Sequence, residues 1–222
     1  MAVTRGRLFR VSRFFVRPLL GRWTCDIPAP QGPTVYVAHH GNMRGPITTL
    51  CYLPFPVRPW VLHTLTRRDT CYVQYRDVTF LGCLGYPRPL AAALAWVTSR
   101  YVSAVTQSMG AIPVYRGTVK IGRTFQASVE ALQAGEPILL FPDIDYAHRG
   151  GEIGAVYEGF LLLDRFWRKV SAEPLDFVPL RWDRETRRIT AGAPVRFDPA
   201  ANRREETARV LEALRKGINE KA

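Results

Sequence analysis

Short apolar segments typical of buried β-strands alternate with longer helical segments along this 222-residue chain. The expected strands span 34–38, 57–63, 111–115, 137–141 and 177–182, with one or two edge strands between 189 and 197. One expected helix begins at Pro46, and three others span 89–109, 119–134 and 205–218. Because alternating strands and helices build a sheet with helices on both faces, the sequence predicts an α/β fold with a mixed central sheet.

The first 24 residues carry a different pattern. Six arginines precede the first acidic residue, Asp26, and account for half of the net charge of +12. A helix over 4–20 gathers its apolar side chains on one side, namely Leu8, Val11, Phe15, Val16 and Leu19. Its arginines lie on the other side, with Phe14 among them. A helix of this length, roughly 25 Å, is shorter than the hydrocarbon core and carries too many charges to span a membrane. Its longest uninterrupted apolar run, Phe14-Phe15-Val16, is too short for a secretory signal.

Three interpretations of this basic amphipathic helix remain open from the sequence. It can lie in the membrane interface, pack its apolar side on the rest of the protein, or serve as an organelle transit peptide. We expect residues 1–24 to form a membrane-surface helix and residues 25–222 to form the α/β domain. The expected partner of the helix is a membrane phospholipid surface, because arginines beside an apolar stripe suit anionic lipid headgroups.

The remaining positive charge is dispersed, which argues against binding of nucleic acid, since a nucleic-acid-binding domain carries a basic stripe on its own fold. Four cysteines are scattered along the chain, at positions 25, 51, 71 and 83. None has the spacing of a zinc site, so no metal is expected. Scattered cysteines in a domain of this size indicate a reducing compartment and small core residues.

Two of the expected strands end in polar residues of the types that transfer protons or bind phosphate. His39 and His40 close the strand over 34–38 and are followed by Arg44. A histidine at a strand end, near a helix N-terminus, can act as a proton acceptor beside a bound anion. Tyr115 and Arg116 close the strand over 111–115, where the guanidinium can hold a phosphate.

Two further strand ends complete the candidate site. Phe141 ends the expected strand over 137–141, and Pro142, Asp143 and Asp145 follow it and bring two carboxylates to its end. Pro179 lies within the expected strand over 177–182, where a proline indicates an edge or a bulge. In α/β folds the carboxyl ends of strands gather ligands, so these residues are expected to meet at one edge of the sheet.

Taken in order, these segments resemble the four sequence blocks of the lysophospholipid acyltransferase (PlsC-like) family. In the first block His40 matches the family histidine, His39 stands where asparagine is usual, and Gly45 stands where aspartate is usual. The second block matches at Gly110, Ile112, Val114 and Arg116. The third matches at Phe141 and Pro142, has Asp143 in place of glutamate, and departs at Ile144, Asp145 and Tyr146. The fourth matches at Val178 and Pro179, so the resemblance spans about residues 34–197.

The resemblance implies a glycerolipid acyltransferase-like fold and transfer of an acyl chain from a thioester to the hydroxyl of a lysophospholipid. It implies that His40 is the general base and that Arg116 binds the phosphate of the acceptor, with Arg44, Tyr115, Phe141, Pro142 and Pro179 as further substrate-binding residues. The acyl donor is expected to be acyl-coenzyme A or acyl carrier protein, with no resident cofactor. The protein is then expected on the cytoplasmic face of a membrane, as a peripheral enzyme.

The glycine at position 45 cannot orient an imidazole as the family aspartate does. We therefore expect Asp143 or Asp145 to reach the ring of His40 in its place. The alternative is a non-catalytic protein that binds lipid or acyl chains on the same fold.

Overall fold

The computed structural model describes residues 6–41, 43–144 and 153–220. Its centre is a seven-stranded sheet with the strand order β1-β7-β6-β2-β5-β3-β4. The strands are β1 (Thr24–Cys25), β2 (Thr34–Ala38), β3 (Arg58–Leu62), β4 (Ile112–Val114), β5 (Ile138–Leu140), β6 (Asp176–Asp183) and β7 (Arg188–Ala191). Five neighbouring strands, from β6 to β4, run parallel, whereas β7 is antiparallel to β6. The expected α/β class and mixed sheet are confirmed.

Seven α-helices surround the sheet in the described part of the chain. They are α1 (Arg7–Leu20), α2 (Arg44–Tyr52), α3 (Arg68–Val73), α4 (Arg88–Ser108), α5 (Ile121–Gln133), α6 (Leu163–Trp167) and α7 (Arg203–Asn219). A π-helical segment, Gln74–Cys83, continues α3, and short 3₁₀ turns precede α3 and α6. The expected helices are confirmed, whereas the helical region over 68–83 was not anticipated.

The two faces of the sheet bury separate apolar clusters because side chains alternate along a strand. In β2, Val35 and Val37 face the cluster that also holds the buried residues of α5, α6 and α7. Tyr36 and Ala38 face the opposite cluster, which contains Cys51 and Tyr52 of α2 and parts of α1. All five residues of β2 are therefore buried, which places this strand at the centre of the protein.

The N-terminal helix α1 packs on the domain with only part of its surface. Phe9 is buried, and the Arg13 guanidinium donates hydrogen bonds to the carbonyl oxygens of Cys51 and Leu53 at 2.5 and 3.2 Å. The side of α1 that faces away from Phe9 and Arg13 carries an exposed apolar stripe. The stripe is formed by Leu8, Val11, Phe14, Phe15 and Leu19. Phe14, Phe15 and Leu19 are 72, 67 and 85% exposed. The domain thus leaves most of the predicted apolar side of the helix uncovered.

Helix α4 packs through small residues and exposes large ones. Ala91, Ala95, Ser99 and Ser103 recur every four residues and are buried in the helical layer formed with α3 and the π-helical segment. The outer side carries Trp96, among other exposed apolar residues. Among the described helices, none has both the length and the apolar character needed to cross a bilayer. The four cysteines, all within the described residues, form no disulfide.

A buried carboxylate near the start of α7 gives a first testable prediction. The Arg209 guanidinium and the backbone N–H of Asp198 both donate hydrogen bonds to Glu206, and they lower its pKa to about 2. The unfolded chain binds this proton more tightly, so the ionised Glu206 stabilises the fold above pH 4.5 and that stability is lost as the pH falls toward 2. Glu206→Gln is therefore expected to lower the urea midpoint at pH 7 and to make it less pH-dependent between pH 5 and 3.

The matched control is Glu212→Gln, since Glu212 lies on the same helix and has no described ion pair. It is expected to leave both the midpoint and its pH dependence close to those of the wild type. Equal behaviour of the two variants would contradict the role given to Glu206.

Candidate functional site

The parallel strands bring their carboxyl ends to one edge of the sheet. His39 and His40 follow β2, and Phe141 to Asp143 follow β5, which is hydrogen-bonded to β2. On the other side of β2, Trp182 lies near the end of β6. His63 follows β3, and Tyr115 follows β4, further along the same edge. The expected meeting of strand ends is thus observed for β2 and β5.

A histidine–aspartate pair lies at the centre of this edge. The Nδ1 atom of His39 forms a hydrogen bond with Oδ1 of Asp143. His39 and Asp143 are 4 and 2% exposed, so the pair is almost fully removed from water. When the carboxylate accepts the Nδ1 proton, the lone pair of the neutral imidazole lies on Nε2. This arrangement prepares His39 to accept a proton through Nε2.

The partner of Asp143 differs from the one that we expected. Its Oδ2 atom accepts a hydrogen bond from the backbone N–H of His40 at 2.8 Å, whereas the Nδ1 atom of His40 accepts one from the Met43 backbone N–H at 3.2 Å. Asp143 therefore orients the ring of His39, and the expectation that it orients the ring of His40 is wrong. Asp145, the other expected carboxylate, lies outside the described residues.

The hydrogen bond from Met43 also fixes what His40 can do. Because a backbone N–H occupies Nδ1, neutral His40 carries its own proton on Nε2 and is a hydrogen-bond donor there. Burial lowers the pKa of His40, although the negative charge of Asp143 opposes this effect. The ring packs edge-on against Phe141, with 6.0 Å between the ring centroids. At neutral pH His40 is therefore an uncharged donor beside the His39–Asp143 pair.

The lowered pKa of His40 gives a second prediction. A group whose pKa is lower in the folded state binds its proton more tightly when unfolded, so stability falls as the pH drops through 6.5. We expect the His40 ring to titrate below pH 6.5 in NMR spectra, with His40→Gln identifying its resonances. The variant should also lose part of the decrease in unfolding free energy between pH 7 and 5. A midpoint above 6.5 would contradict the assignment.

Trp182 holds the backbone of the histidine pair in place. Its indole Nε1–H donates to the carbonyl oxygen of His39 at 2.8 Å, and its ring stacks on the His39 ring with centroids 6.3 Å apart. This contact requires glycine at two positions. A Cβ atom on Gly41 would lie 2.3 Å from the Trp182 ring, and one on Gly45 would lie 2.1 Å from the His39 carbonyl oxygen. The space that a side chain at position 45 would need is thus filled by an indole and a backbone carbonyl.

A second group of residues lies at the ends of β3 and β4. The rings of His63 and Tyr115 stack with centroids 4.9 Å apart. The Arg116 guanidinium lies 4.8 Å from the centroid of the Tyr157 ring, and the Tyr157 backbone N–H donates to the carbonyl oxygen of Pro142 at 2.7 Å. Arg116 thus extends toward the segment that follows β5. Three strand spacings separate β4 from β2, which amounts to about 14 Å between their backbones.

The other expected site residues lie in three different places. Pro142 is buried and Phe141 is half-buried, both directly before Asp143. Arg44 is the exposed first residue of α2. Pro179 lies inside β6, paired with Val37, and a Cβ atom on Gly217 of α7 would lie 2.6 Å from its ring. The structure therefore places Pro179 in the packing between β6 and α7.

Three residues of this edge were not identified from the sequence, namely His63, Tyr157 and Trp182. Trp182 and His63 had a detectable signal, since each ends an expected strand. Within the described residues, no group of three histidine, cysteine or acidic side chains is arranged to hold a metal ion. The chemistry available at this edge is proton transfer by a carboxylate-oriented imidazole, with a neutral histidine donor and an arginine nearby.

No protein-family model, no curated protein and no solved structure matches this chain.

Proposed function

We propose that this protein transfers an acyl chain from a thioester to the hydroxyl group of a lysophospholipid at a membrane surface. The observation that carries the proposal is the buried His39–Asp143 pair at the carboxyl ends of β2 and β5. An imidazole oriented in this way is a general base for a hydroxyl nucleophile. The four sequence blocks that resemble lysophospholipid acyltransferases supply the substrate class and the fold family.

In the proposed reaction His39 is the general base, the role that the resemblance implies for His40. Its Nε2 atom accepts the hydroxyl proton while the oxygen attacks the thioester carbonyl carbon. The carbon–sulfur bond then breaks, and the thiolate takes the proton back from the imidazolium. The products are an ester and a free thiol, so atoms and charge balance. The Nε2–H of His40 is a suitable donor to the carbonyl oxygen on which negative charge develops.

Arg116 is the proposed ligand of the acceptor's phosphate. Arginine binds phosphate in a planar, bidentate manner, and this guanidinium extends toward the segment that follows β5. A glycerophosphate between β4 and β2 can present its hydroxyl to His39 while its phosphate contacts Arg116.

The proposed location is the cytoplasmic face of a membrane. The exposed stripe on α1 supports it, because Leu8, Phe15 and Leu19 form an apolar surface that the domain does not cover. Such a helix, flanked by arginines, suits the boundary between headgroups and acyl chains. The donor, acyl-coenzyme A or acyl carrier protein, would arrive from the aqueous side.

The test measures acyl transfer from labelled acyl-coenzyme A and acyl carrier protein to a panel of lysophospholipids on vesicles. The wild type is expected to form ester and free thiol in equal amounts. His39→Ala is expected to reduce kcat by about 10³-fold or more, because the base is lost. His40→Ala is expected to reduce it less, by roughly 10²-fold, because one donor hydrogen bond is lost.

Equal turnover by the wild type and His39→Ala would contradict the proposed base. A larger loss for His40→Ala than for His39→Ala would return the role of base to His40. No turnover with any donor, together with tight binding of lysolipid, would instead indicate a non-catalytic lipid-binding protein.

A further inference from the structure

A cationic pocket lies on the far side of β2 from Arg116. It has a volume of about 350 Å³ and opens between the end of α1, the start of α2 and the β6–β7 hairpin. Its lining combines apolar side chains, among them Leu19, Leu20 and Trp182, with the guanidinium groups of Arg44, Arg184 and Arg187. The Trp182 indole is shared between this pocket and the His39 ring, so the pocket adjoins the candidate active site.

The positive charge of this pocket is not neutralised within the described part of the protein. Arg44, Arg184 and Arg187 have no side-chain hydrogen bond or ion pair with a described residue. Two neighbouring carboxylates, those of Asp183 and Asp26, are engaged elsewhere, and Glu185 of the hairpin turn forms no ion pair with a described residue. Asp183 pairs with Arg181 and accepts two backbone N–H groups of the hairpin turn, and Asp26 lies 3.8 Å from Arg188.

The backbone holds one of these arginines in an uncommon conformation. Arg187 has a positive φ of 52°, which non-glycine residues rarely adopt. Its carbonyl oxygen accepts a hydrogen bond from the Thr24 backbone N–H. Its guanidinium lies beside Gly21, where an added Cβ atom would be 2.8 Å from Nη1. The hairpin thus presents Arg187 to the segment that directly follows α1.

We propose that this pocket binds the phosphate of an anionic phospholipid in the membrane on which α1 lies. Arginines match phosphate oxygens, while Leu19, which is 85% exposed, continues the apolar stripe of α1 to the edge of the pocket. A lipid seated there would have its headgroup among the arginines and its acyl chains beside α1. The inference rests on the membrane association proposed above, and it adds a lipid site separate from that of the acceptor.

Sedimentation with vesicles tests this site without any need for acyl transfer. The variant Arg184→Gln/Arg187→Gln is expected to bind phosphatidate-containing vesicles about twenty-five-fold more weakly than the wild type, since each arginine near anionic lipid contributes about fivefold. The matched control is Arg123→Gln/Arg204→Gln, which removes the same charge from α5 and α7 on the opposite face of the sheet. The control is expected to change binding by less than about threefold.

Competition identifies the source of the phosphate. A soluble short-chain phosphatidate is expected to displace the wild type from vesicles, whereas inorganic phosphate or coenzyme A at equal phosphate concentration is not. Equal loss of binding in the two double variants, or displacement by coenzyme A as effective as that by phosphatidate, would overturn the lipid site.

Acyl transfer to a detergent-dispersed acceptor is expected to be equal in the wild type and the pocket variant. Loss of that transfer in the pocket variant would show that the pocket serves the acyl substrates, and would overturn the proposal. Absence of acyl transfer in the wild type would contradict only the proposed function, because the vesicle result stands by itself.

Discussion

Replacement of Asp143 by asparagine is expected to lower kcat for the proposed acyl transfer by about 10³- to 10⁴-fold. The amide oxygen of asparagine can still accept the backbone N–H of His40, so the local fold is retained. Its NH₂ group then faces Nδ1 of His39 and donates to it. The proton of the neutral imidazole must move to Nε2, which removes the lone pair that would accept the hydroxyl proton.

The test combines measurement of kcat with NMR observation of the tautomer of the His39 imidazole. We expect ¹⁵N NMR to show the Nδ1–H form of His39 in the wild type and the Nε2–H form in Asp143→Asn. Asp69→Asn is the matched control, because Asp69 is an exposed carboxylate paired with Arg67. Unchanged kcat in Asp143→Asn, or an unchanged tautomer of His39, would contradict the role of this carboxylate.

The substitution Gly45→Asp, which introduces the residue usual at this position in the family that the sequence resembles, is expected to destabilise the protein. The new Cβ atom would lie 2.1 Å from the His39 carbonyl oxygen and 2.7 Å from Nε1 of Trp182. Either the indole or the backbone after β2 must move, and the hydrogen bond between them would break. We expect the free energy of unfolding to fall by about 3 kcal/mol or more, as for severe overpacking.

Gly122→Asp offers a closely matched control for this substitution. Both glycines are the second residue of an α-helix, α2 for Gly45 and α5 for Gly122. A Cβ atom on Gly122 would meet nothing within 4 Å. An aspartate in the first turn of α5 is expected to change stability by less than about 1 kcal/mol. Denaturant unfolding of both variants measures the difference, and similar values would contradict the tight packing around Gly45.

The sheet was predictable because its strands carry continuous apolar runs. Residues 34–38 and 138–140 are wholly buried, and buried parallel strands need no polar alternation. The helical region over 68–83 lacked such a signal, since none of the residues of its π-helical part is buried. A helix without a buried face does not need apolar residues at regular intervals in its sequence.

The location of the site was predictable from the sequence, but the hydrogen-bonded pairs of side chains within it were not. Parallel strands bring their ends together, so the proximity of β2 and β5 follows from the order of elements. The choice between His39 and His40 depends on which ring turns toward Asp143. That choice involves Trp182, which stacks on His39 from a strand more than 140 positions later in the sequence. Local sequence around the two histidines does not contain this contact.

The way in which α1 is attached has a practical consequence for anyone who purifies this protein. Arg13 binds the carbonyl oxygens of Cys51 and Leu53, and the Tyr52 hydroxyl donates to the carbonyl oxygen of Arg17. Removal of the first 24 residues to improve solubility would therefore leave the end of α2 without these partners. Polar replacements at the exposed stripe of α1 would reduce aggregation and preserve the attachment.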